Sequence, residues 1–184
     1  MEILQLINTG AKELKNKDII SHKLDSEILL AKILNKQREE ILINLDAKVS
    51  LKVIQNFKKL IKRRSLKEPI AYILEEKEFW SKNFFVDKNT LIPRPETELM
   101  VEKLVDIFKD KKLNILDVGT GTGCILLSLL SELKFSQGLG VDISKKALQI
   151  AIKNSIKHKI TNRAKFSRKS VTEIFDYKFD LIVS

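Results

Sequence analysis

Apolar residues recur at intervals of three and four along the first 65 residues, which is the spacing of one face of an α-helix. Helices are predicted over residues 3–14, 27–34 and 38–45 and in a longer segment after Ser50, which is a plausible N-cap. In that last helix the apolar residues form one face, and lysines and arginines form the other. Residues 1–68 are therefore predicted to form a small helical bundle.

The pattern changes after Pro69, where apolar and aromatic residues become denser. Residues 70–74 are apolar, and the aromatic-rich segment 78–86 is interrupted by a polar turn at Ser81-Lys82-Asn83. Aromatic runs on both sides of a short polar turn predict a β-hairpin. Residues 69–92 are therefore predicted to be a hairpin linker between two domains.

From residue 93 onward, apolar runs of strand length alternate with helical patterns. Pro95 suits the first turn of a helix that runs from Glu96 to about Phe108. Strands are predicted over residues 113–118, 137–142, 164–169 and 178–183, and helices over residues 123–133 and 144–157. This alternation predicts an α/β fold in which residues 93–184 form an incomplete Rossmann-like parallel sheet.

Composition narrows the class of protein. The 184 residues are 43% hydrophobic, which suffices for a real core, and the apolar runs are too short for a membrane span. The N-terminus lacks a secretory signal, so we expect a cytoplasmic protein without a membrane partner. Cys124 is the single cysteine, which excludes an internal disulfide and a cysteine-cluster metal site. No metal is expected, Cys124 is interpreted as a packing residue, and His22 and His158 are expected at the surface.

The chain is strongly basic, with a formal net charge of +10 and an isoelectric point near 9.6. Such a charge suits an acidic or phosphate-bearing partner, but only six of the 34 basic residues are arginine and the lysines are spread along the whole chain. The one tight cluster comprises Lys58, Lys59, Lys62, Arg63, Arg64 and Lys67. A solvated helix face explains this cluster about as well as a partner site does.

Candidate chemistry lies in DVGTGTG, residues 117–123, between a predicted strand and a predicted helix. Glycines at every second position let a backbone turn press directly against a ligand. Asp142 ends the next predicted strand, where its carboxylate could accept hydrogen bonds from the two hydroxyls of a ribose. The order strand, glycine turn, helix, strand and acid predicts a nucleoside cofactor.

The acid that precedes the glycines, Asp117, distinguishes between cofactors. NAD presents a pyrophosphate, which favours a bare helix N-terminus, and its binding turn usually has the spacing G-x-G-x-x-G. S-adenosylmethionine presents an ammonium and a sulfonium, for which a carboxylate is a useful neighbour. The sequence therefore favours S-adenosylmethionine.

Four segments carry a resemblance to a known family: EPIAYIL with EFW over residues 68–80, LIPRPETE over 91–98, DVGTGTGCI over 117–125 and FDLIVS over 179–184. With these segments the chain resembles the HemK/PrmC family of protein-(glutamine-N5) methyltransferases, which act on peptide chain release factors. The IPRPETE string is the most specific of them, because many methyltransferases share the glycine turn. The resemblance implies release factors as the protein substrate, recognised with the help of the helical bundle.

The resemblance also implies roles for individual residues. Gly119, Thr120, Gly121, Thr122 and Gly123 would wrap the methionine part of S-adenosylmethionine, with Asp117 beside its ammonium and Asp142 on the ribose. Ile143 would form an apolar wall of the adenine site, although without the resemblance it would be interpreted as a core residue. Ser170 and Val171 stand where the family commonly has an Asp-Trp pair that contacts adenine. The residues implied in the pocket where cofactor and substrate glutamine meet are Pro93, Arg94, Glu96 and Thr97, with a proline-rich linker and helix cap as the alternative.

The catalytic motif of the family is Asn-Pro-Pro-Tyr, which follows a strand ending like FDLIVS. This chain ends one residue before the expected position, so the resemblance places no catalytic residue within it and implies a fragment that is inactive alone. The chemistry explains the importance of the motif. An amide nitrogen is a poor nucleophile that must be aligned with the sulfonium methyl group, and such orientation contributes on the order of 7 to 11 kcal/mol in favourable cases.

Other functions stay open at this point. A related enzyme could methylate a glutamine of a ribosomal protein, and an adenine-N6 methyltransferase of nucleic acid uses a related loop. Diffuse basic residues make nucleic acid an unexpected substrate, and strong salt-sensitive binding would change that view. A noncatalytic module that binds only cofactor or partner, and a nicotinamide oxidoreductase, are further alternatives.

Overall fold

A computed structural model describes residues 1–174 and 178–184. The chain divides into two compact units, Met1–Leu74 and Glu75–Ser184. The boundary lies six residues beyond the predicted end of the helical bundle at residue 68. The observed boundary differs from the predicted one because the apolar segment after Pro69 forms a helix, and its residue Ile73 is buried in the core of the helical unit.

The first unit is helical, as predicted. Its helices are α1 (Ile3–Lys15), α2 (His22–Leu34), α3 (Arg38–Ile43), α4 (Leu51–Ser65) and α5 (Ile70–Leu74). Buried aliphatic residues of α1 and α2 pack with Phe57 and Ile61 of α4 into one hydrophobic core. The predicted N-cap is confirmed, since the Ser50 hydroxyl accepts a hydrogen bond from the Val53 N–H at 3.4 Å.

Helix α2 begins five residues before the predicted start at Glu27. The apolar spacing misses this turn because α2 buries polar residues, among them Asp25 and Glu27, each 3% exposed. Arg64 Nε donates to Asp25 Oδ2 at 2.6 Å, and Arg38 pairs with Glu27 at 2.7 Å. Arg64, a member of the basic cluster, therefore pairs inside the unit and is not part of a solvated face.

The second unit starts with the predicted β-hairpin. Strands β1 (Glu76–Phe79) and β2 (Lys82–Phe85) are antiparallel. Trp80 and Ser81 form the turn with φ of 53° and 52°, so it lies one residue earlier than predicted. The hairpin faces the core, because Phe79 and Phe84 are buried and their rings meet edge to face at 6.2 Å.

The remainder of this unit is a parallel α/β sheet, which confirms the predicted fold class. The elements that follow are α6 (Glu96–Phe108), β3 (Asn114–Val118), α7 (Cys124–Glu132), β4 (Gln137–Asp142), α8 (Lys145–Lys157), β5 (Ala164–Arg168), a short 3-10 helix (Val171–Glu173) and β6 (Leu181–Val183). The strand order is β5-β4-β3-β6 with all pairs parallel. The carboxyl ends of these strands therefore share one edge, where open α/β sheets bind their ligands.

Two hydrophobic clusters hold the strands of this sheet in place. Ile115 of β3 and Val183 of β6 join the buried leucines of α7 in the main core of the unit. Leu116, Val141 and Ile174 form a smaller cluster. Within the described residues, no helix is long and apolar enough to cross a membrane.

Candidate functional site

The predicted glycine turn lies at the carboxyl end of β3 and leaves space for a ligand. Gly119, Gly121 and Gly123 have φ of 69°, 54° and 77°, a region that side-chain-bearing residues rarely adopt. A Cβ at Gly119 would meet no heavy atom within 4 Å, and one at Gly121 would meet only the Gly119 carbonyl oxygen at 3.8 Å. A Cβ at Gly123 would instead lie 3.2 Å from Leu127 Cδ1. The first two glycines thus leave the turn open, and the third allows it to pack on α7.

Asp142 lies at the end of β4 and holds the turn in place. Its Oδ2 accepts a hydrogen bond from the Gly121 N–H at 3.1 Å, and its Oδ1 accepts one from the Ser144 N–H at 2.8 Å. The Thr120 N–H donates to the Val141 carbonyl at 2.9 Å. An ionised carboxylate has about four acceptor positions. Asp142 can therefore anchor the turn and still accept hydrogen bonds from a diol.

Asp117 is a buried acid directly beneath the turn. It is 1% exposed, and the Thr120 hydroxyl donates a hydrogen bond to its Oδ2 at 2.6 Å. Burial raises the pKa of Asp117 to about 6, the Thr120 hydrogen bond opposes this shift, and the charge of Asp142 adds to it. The desolvated carboxylate of Asp117 would be stabilised by a cation, as the sequence analysis proposed for the cofactor ammonium.

The third part of the site follows β5. A shallow cavity of about 360 Å³ is lined by Ile143, Arg168, Lys169, Ser170 and Glu173. Ile143 is 74% exposed, so its interpretation as a core residue is wrong. An exposed apolar side chain beside a cavity is instead available to a planar ring.

Two residues that the resemblance places at the adenine site, Ser170 and Val171, lie at the start of the 3-10 helix beside this cavity. The Ser170 hydroxyl accepts a hydrogen bond from the Thr172 N–H at 3.4 Å, so it caps the turn, while Val171 is 55% exposed. Arg168 was not predicted as a site residue, and its Nε donates to the Ile143 carbonyl at 3.0 Å. Its place at the carboxyl end of a parallel strand is the sequence signal that could have identified it.

The segment predicted to line the substrate pocket forms a turn into α6. Pro93 is buried, Arg94 and Glu96 are exposed, and Thr97 is half-buried. The Thr97 N–H donates to the Arg94 carbonyl at 3.0 Å, which is a local hydrogen bond of the turn. The pocket role of these four residues stays a prediction.

One residue of the IPRPETE string has a position that the sequence did not suggest. Glu98 Oε1 accepts a hydrogen bond from the Trp80 N–H at 3.0 Å. The Trp80 indole donates to Glu132 Oε1 on α7, also at 3.0 Å. The turn of the hairpin therefore joins α6 and α7.

The remaining reactive side chains fit structural roles. Burial raises the pKa of the Cys124 thiol to about 11, which keeps it protonated and favours packing over nucleophilic chemistry. His158 lies with its ring centroid 4.6 Å from that of Phe84, and burial, aided by Lys157 and Lys82, lowers its pKa. His22 and His158 are both half-buried, so each of them is only partly exposed at the surface. In the part of the chain that the structure describes, no group of three or more His, Cys, Asp or Glu residues is placed to hold a metal ion.

A parallel sheet with an open glycine turn after β3 and an acid at the end of β4 defines a Rossmann-like domain suited to a nucleoside cofactor. Comparisons with known proteins narrow this class. Residues 5–74 match the PrmC N-terminal domain family, and residues 109–184 match a methyltransferase domain family.

Curated relatives match nearly the whole chain. The chain is 40% identical over 99% of its length to the release factor glutamine methyltransferase of Leptospira interrogans, and 38% identical over 100% to that of Buchnera aphidicola subsp. Baizongia pistaciae. It is 38% identical over 99% of its length to the bifunctional methyltransferase of Rickettsia typhi. The chain belongs to the HemK/PrmC family.

The chain is shorter than these relatives. It spans 39% of the length of the Rickettsia typhi protein, 65% of the Leptospira interrogans protein and 66% of the Buchnera aphidicola protein. Among solved structures, it is similar to M. capricolum TrmK in complex with S-adenosyl-homocysteine over 43% of its length, with 22% identity and a TM-score of 0.38.

Proposed function

We propose that this chain provides the S-adenosylmethionine site of an enzyme that methylates the side-chain amide nitrogen (N5) of a glutamine in peptide chain release factors. The assignment of the substrate rests on the 40% identity to a release factor glutamine methyltransferase along 99% of the chain. The helical unit Met1–Leu74 would help to bind the release factor. The predicted cytoplasmic location stays a prediction.

The site geometry supports the cofactor. The open turn at Gly119 and Gly121 would receive the methionine part, and Asp117 would face its ammonium. Asp142 would accept the ribose hydroxyls, and exposed Ile143 would contact the adenine beside the cavity. S-adenosylmethionine supplies an activated methyl group when bound, and these residues of the chain bind and orient it.

Methylation assays test the substrate. The gene product that contains this sequence is incubated with radiolabelled S-adenosylmethionine and either a purified release factor or purified ribosomal proteins. We expect label on one glutamine of the release factor and none on a variant in which that glutamine is replaced by alanine. Label on ribosomal proteins alone would support the ribosomal alternative and contradict the release factor proposal.

Binding of the cofactor is expected to release a proton near pH 6. Asp117 has a raised pKa of about 6 in the free chain, and a bound ammonium would favour its charged form and lower that pKa. Affinity for S-adenosylhomocysteine should therefore fall by about tenfold per pH unit below pH 6, with no change from this group above about pH 7. Titration calorimetry in buffers of different ionisation enthalpy measures the released proton.

The variant Asp117→Asn is the control for this linkage. It keeps the shape of the side chain and removes its titration, so we expect weaker binding and no proton release from this position. Proton release that persists unchanged in Asp117→Asn would show that another group is responsible.

A further inference from the structure

One buried amide joins the hairpin to the glycine turn within the second unit. Asn154 lies on α8 and is 0% exposed. Its Oδ1 accepts a hydrogen bond from the Phe85 N–H at 2.7 Å. Its Nδ2 donates to the Phe85 carbonyl at 3.0 Å and to the Thr122 carbonyl at 2.9 Å. A single side chain therefore holds both backbone polar groups of one β2 residue and a carbonyl of the turn.

The chemistry of this position requires a carboxamide. The three partners demand one acceptor and two donors from the same short side chain, which asparagine supplies. An aspartate would keep the acceptor and lose both donors, and a serine would offer a single donor. Asn154 thus satisfies backbone groups of β2 in the way that a further strand would, and it uses its last donor on the cofactor turn.

Neighbouring residues of α8 hold the same strand. Lys153 Nζ lies 3.6 Å from the centroid of the Phe85 ring, and Lys157 Nζ lies 4.4 Å from it. These contacts fix β2 against α8 through the aromatic side chain. Because these contacts hold β2 on α8, a change in the conformation of the glycine turn can affect the order of β2 through the hydrogen bonds of Asn154.

We propose that Asn154 is a positioning residue for the cofactor, and that it couples ordering of the glycine turn to ordering of β2. It fixes the Thr122 carbonyl and with it the course of residues 119–123. It also fixes Phe85, eight residues before the segment 93–97 that is predicted to line the substrate pocket. The same side chain therefore contacts both the cofactor turn and the strand that precedes this segment. This inference rests on the proposed function, because it concerns binding of the proposed cofactor.

The test uses the unsubstituted chain, Asn154→Ala and the matched control Ser155→Ala. Ser155 is the next residue of α8 and is 2% exposed, but its hydroxyl donates to the Ile152 carbonyl of its own helix. Calorimetry gives the affinity of each protein for S-adenosylhomocysteine. Nuclear magnetic resonance gives the hydrogen-exchange rate of the Phe85 amide with and without this ligand.

We expect Asn154→Ala to weaken binding by about tenfold or more in protein that remains folded, and Ser155→Ala to change it by less than about twofold. In the unsubstituted chain, the ligand should slow exchange of the Phe85 amide, and this effect should vanish in Asn154→Ala. A merely structural role would lower stability without changing the affinity of the folded protein.

Each other outcome overturns the proposal. Equal affinities of folded Asn154→Ala and the unsubstituted chain would do so, and so would unchanged Phe85 exchange when the unsubstituted chain binds the ligand. The exchange measurement on the unsubstituted chain tests the proposal even if Asn154→Ala does not fold. If the unsubstituted chain binds no S-adenosylhomocysteine, the proposed function fails first and this inference fails with it.

Discussion

Replacement of Asp142 by alanine is expected to weaken binding of S-adenosylhomocysteine by roughly a hundredfold or more. Two ribose hydroxyls would each donate to this carboxylate, and a hydrogen bond to a charged group contributes about 1.5–3 kcal/mol. The loss of both corresponds to a factor on the order of 10² to 10⁴ in affinity. The variant also removes the hydrogen bond that the Gly121 N–H donates to Asp142 Oδ2 at 3.1 Å. Calorimetric titration at about pH 8, above the pKa of Asp117, measures the effect.

Asp180→Ala is the matched control for this prediction. Asp180 Oδ2 accepts a hydrogen bond from the Asn114 N–H at 2.7 Å, at the start of β3 and thus at the opposite end of the sheet. Both variants lose a carboxylate that accepts hydrogen bonds from backbone N–H groups, two for Asp142 and one for Asp180, but only Asp142 is placed to bind the ribose. Asp142→Asn keeps one acceptor oxygen and should give an intermediate affinity. An affinity of Asp142→Ala close to that of Asp180→Ala would contradict the ribose assignment.

Local patterns predict much of this fold. The bounds of α6 and β4 agree with the sequence analysis, because a proline before acidic residues and an apolar run before Asp142 are signals within a few residues. The glycine turn is predictable for the same reason, since it stands between a strand and a helix. The start of α2 is not predictable in this way, because the charge of buried Asp25 is matched by Arg64, 39 residues away.

The site itself depends on contacts between distant parts of the chain. Asn154 and Phe85 are 69 residues apart, and no periodic pattern marks either of them. The raised pKa of Asp117 likewise results from burial by the surrounding fold. The sequence could identify Asp117 and Asp142 as acids beside a turn, but it could not indicate that one is desolvated while the other anchors Gly121.

Gly138 and Gly140 of β4 provide a paired test of how the sheet supports the turn. A Cβ at Gly138 would overlap Leu126 Cδ1 and lie 2.9 Å from the Ile115 carbonyl oxygen. A Cβ at Gly140 would lie 2.7 Å from both Phe166 Cδ1 and Thr120 Oγ1. We expect Gly138→Ala and Gly140→Ala each to lower the free energy of unfolding by about 1–3 kcal/mol, because extra atoms in a packed core force neighbours to shift. Fluorescence of Trp80, the single tryptophan of the chain, reports urea unfolding of this unit.

Only Gly140→Ala is expected to change cofactor affinity in the folded state. The displaced Thr120 hydroxyl is the donor to Asp117 Oδ2, so the carboxylate would lose the hydrogen bond that favours its charged form. Binding of S-adenosylhomocysteine should weaken by about tenfold or more in Gly140→Ala and by less than about twofold in Gly138→Ala. Equal affinities of the two variants would mean that the Thr120 contact does not prepare Asp117 for the ligand. A loss of affinity in Gly140→Ala alone would instead show that the missing side chain at Gly140 leaves room for the Thr120 hydroxyl, which stabilises the charged form of Asp117.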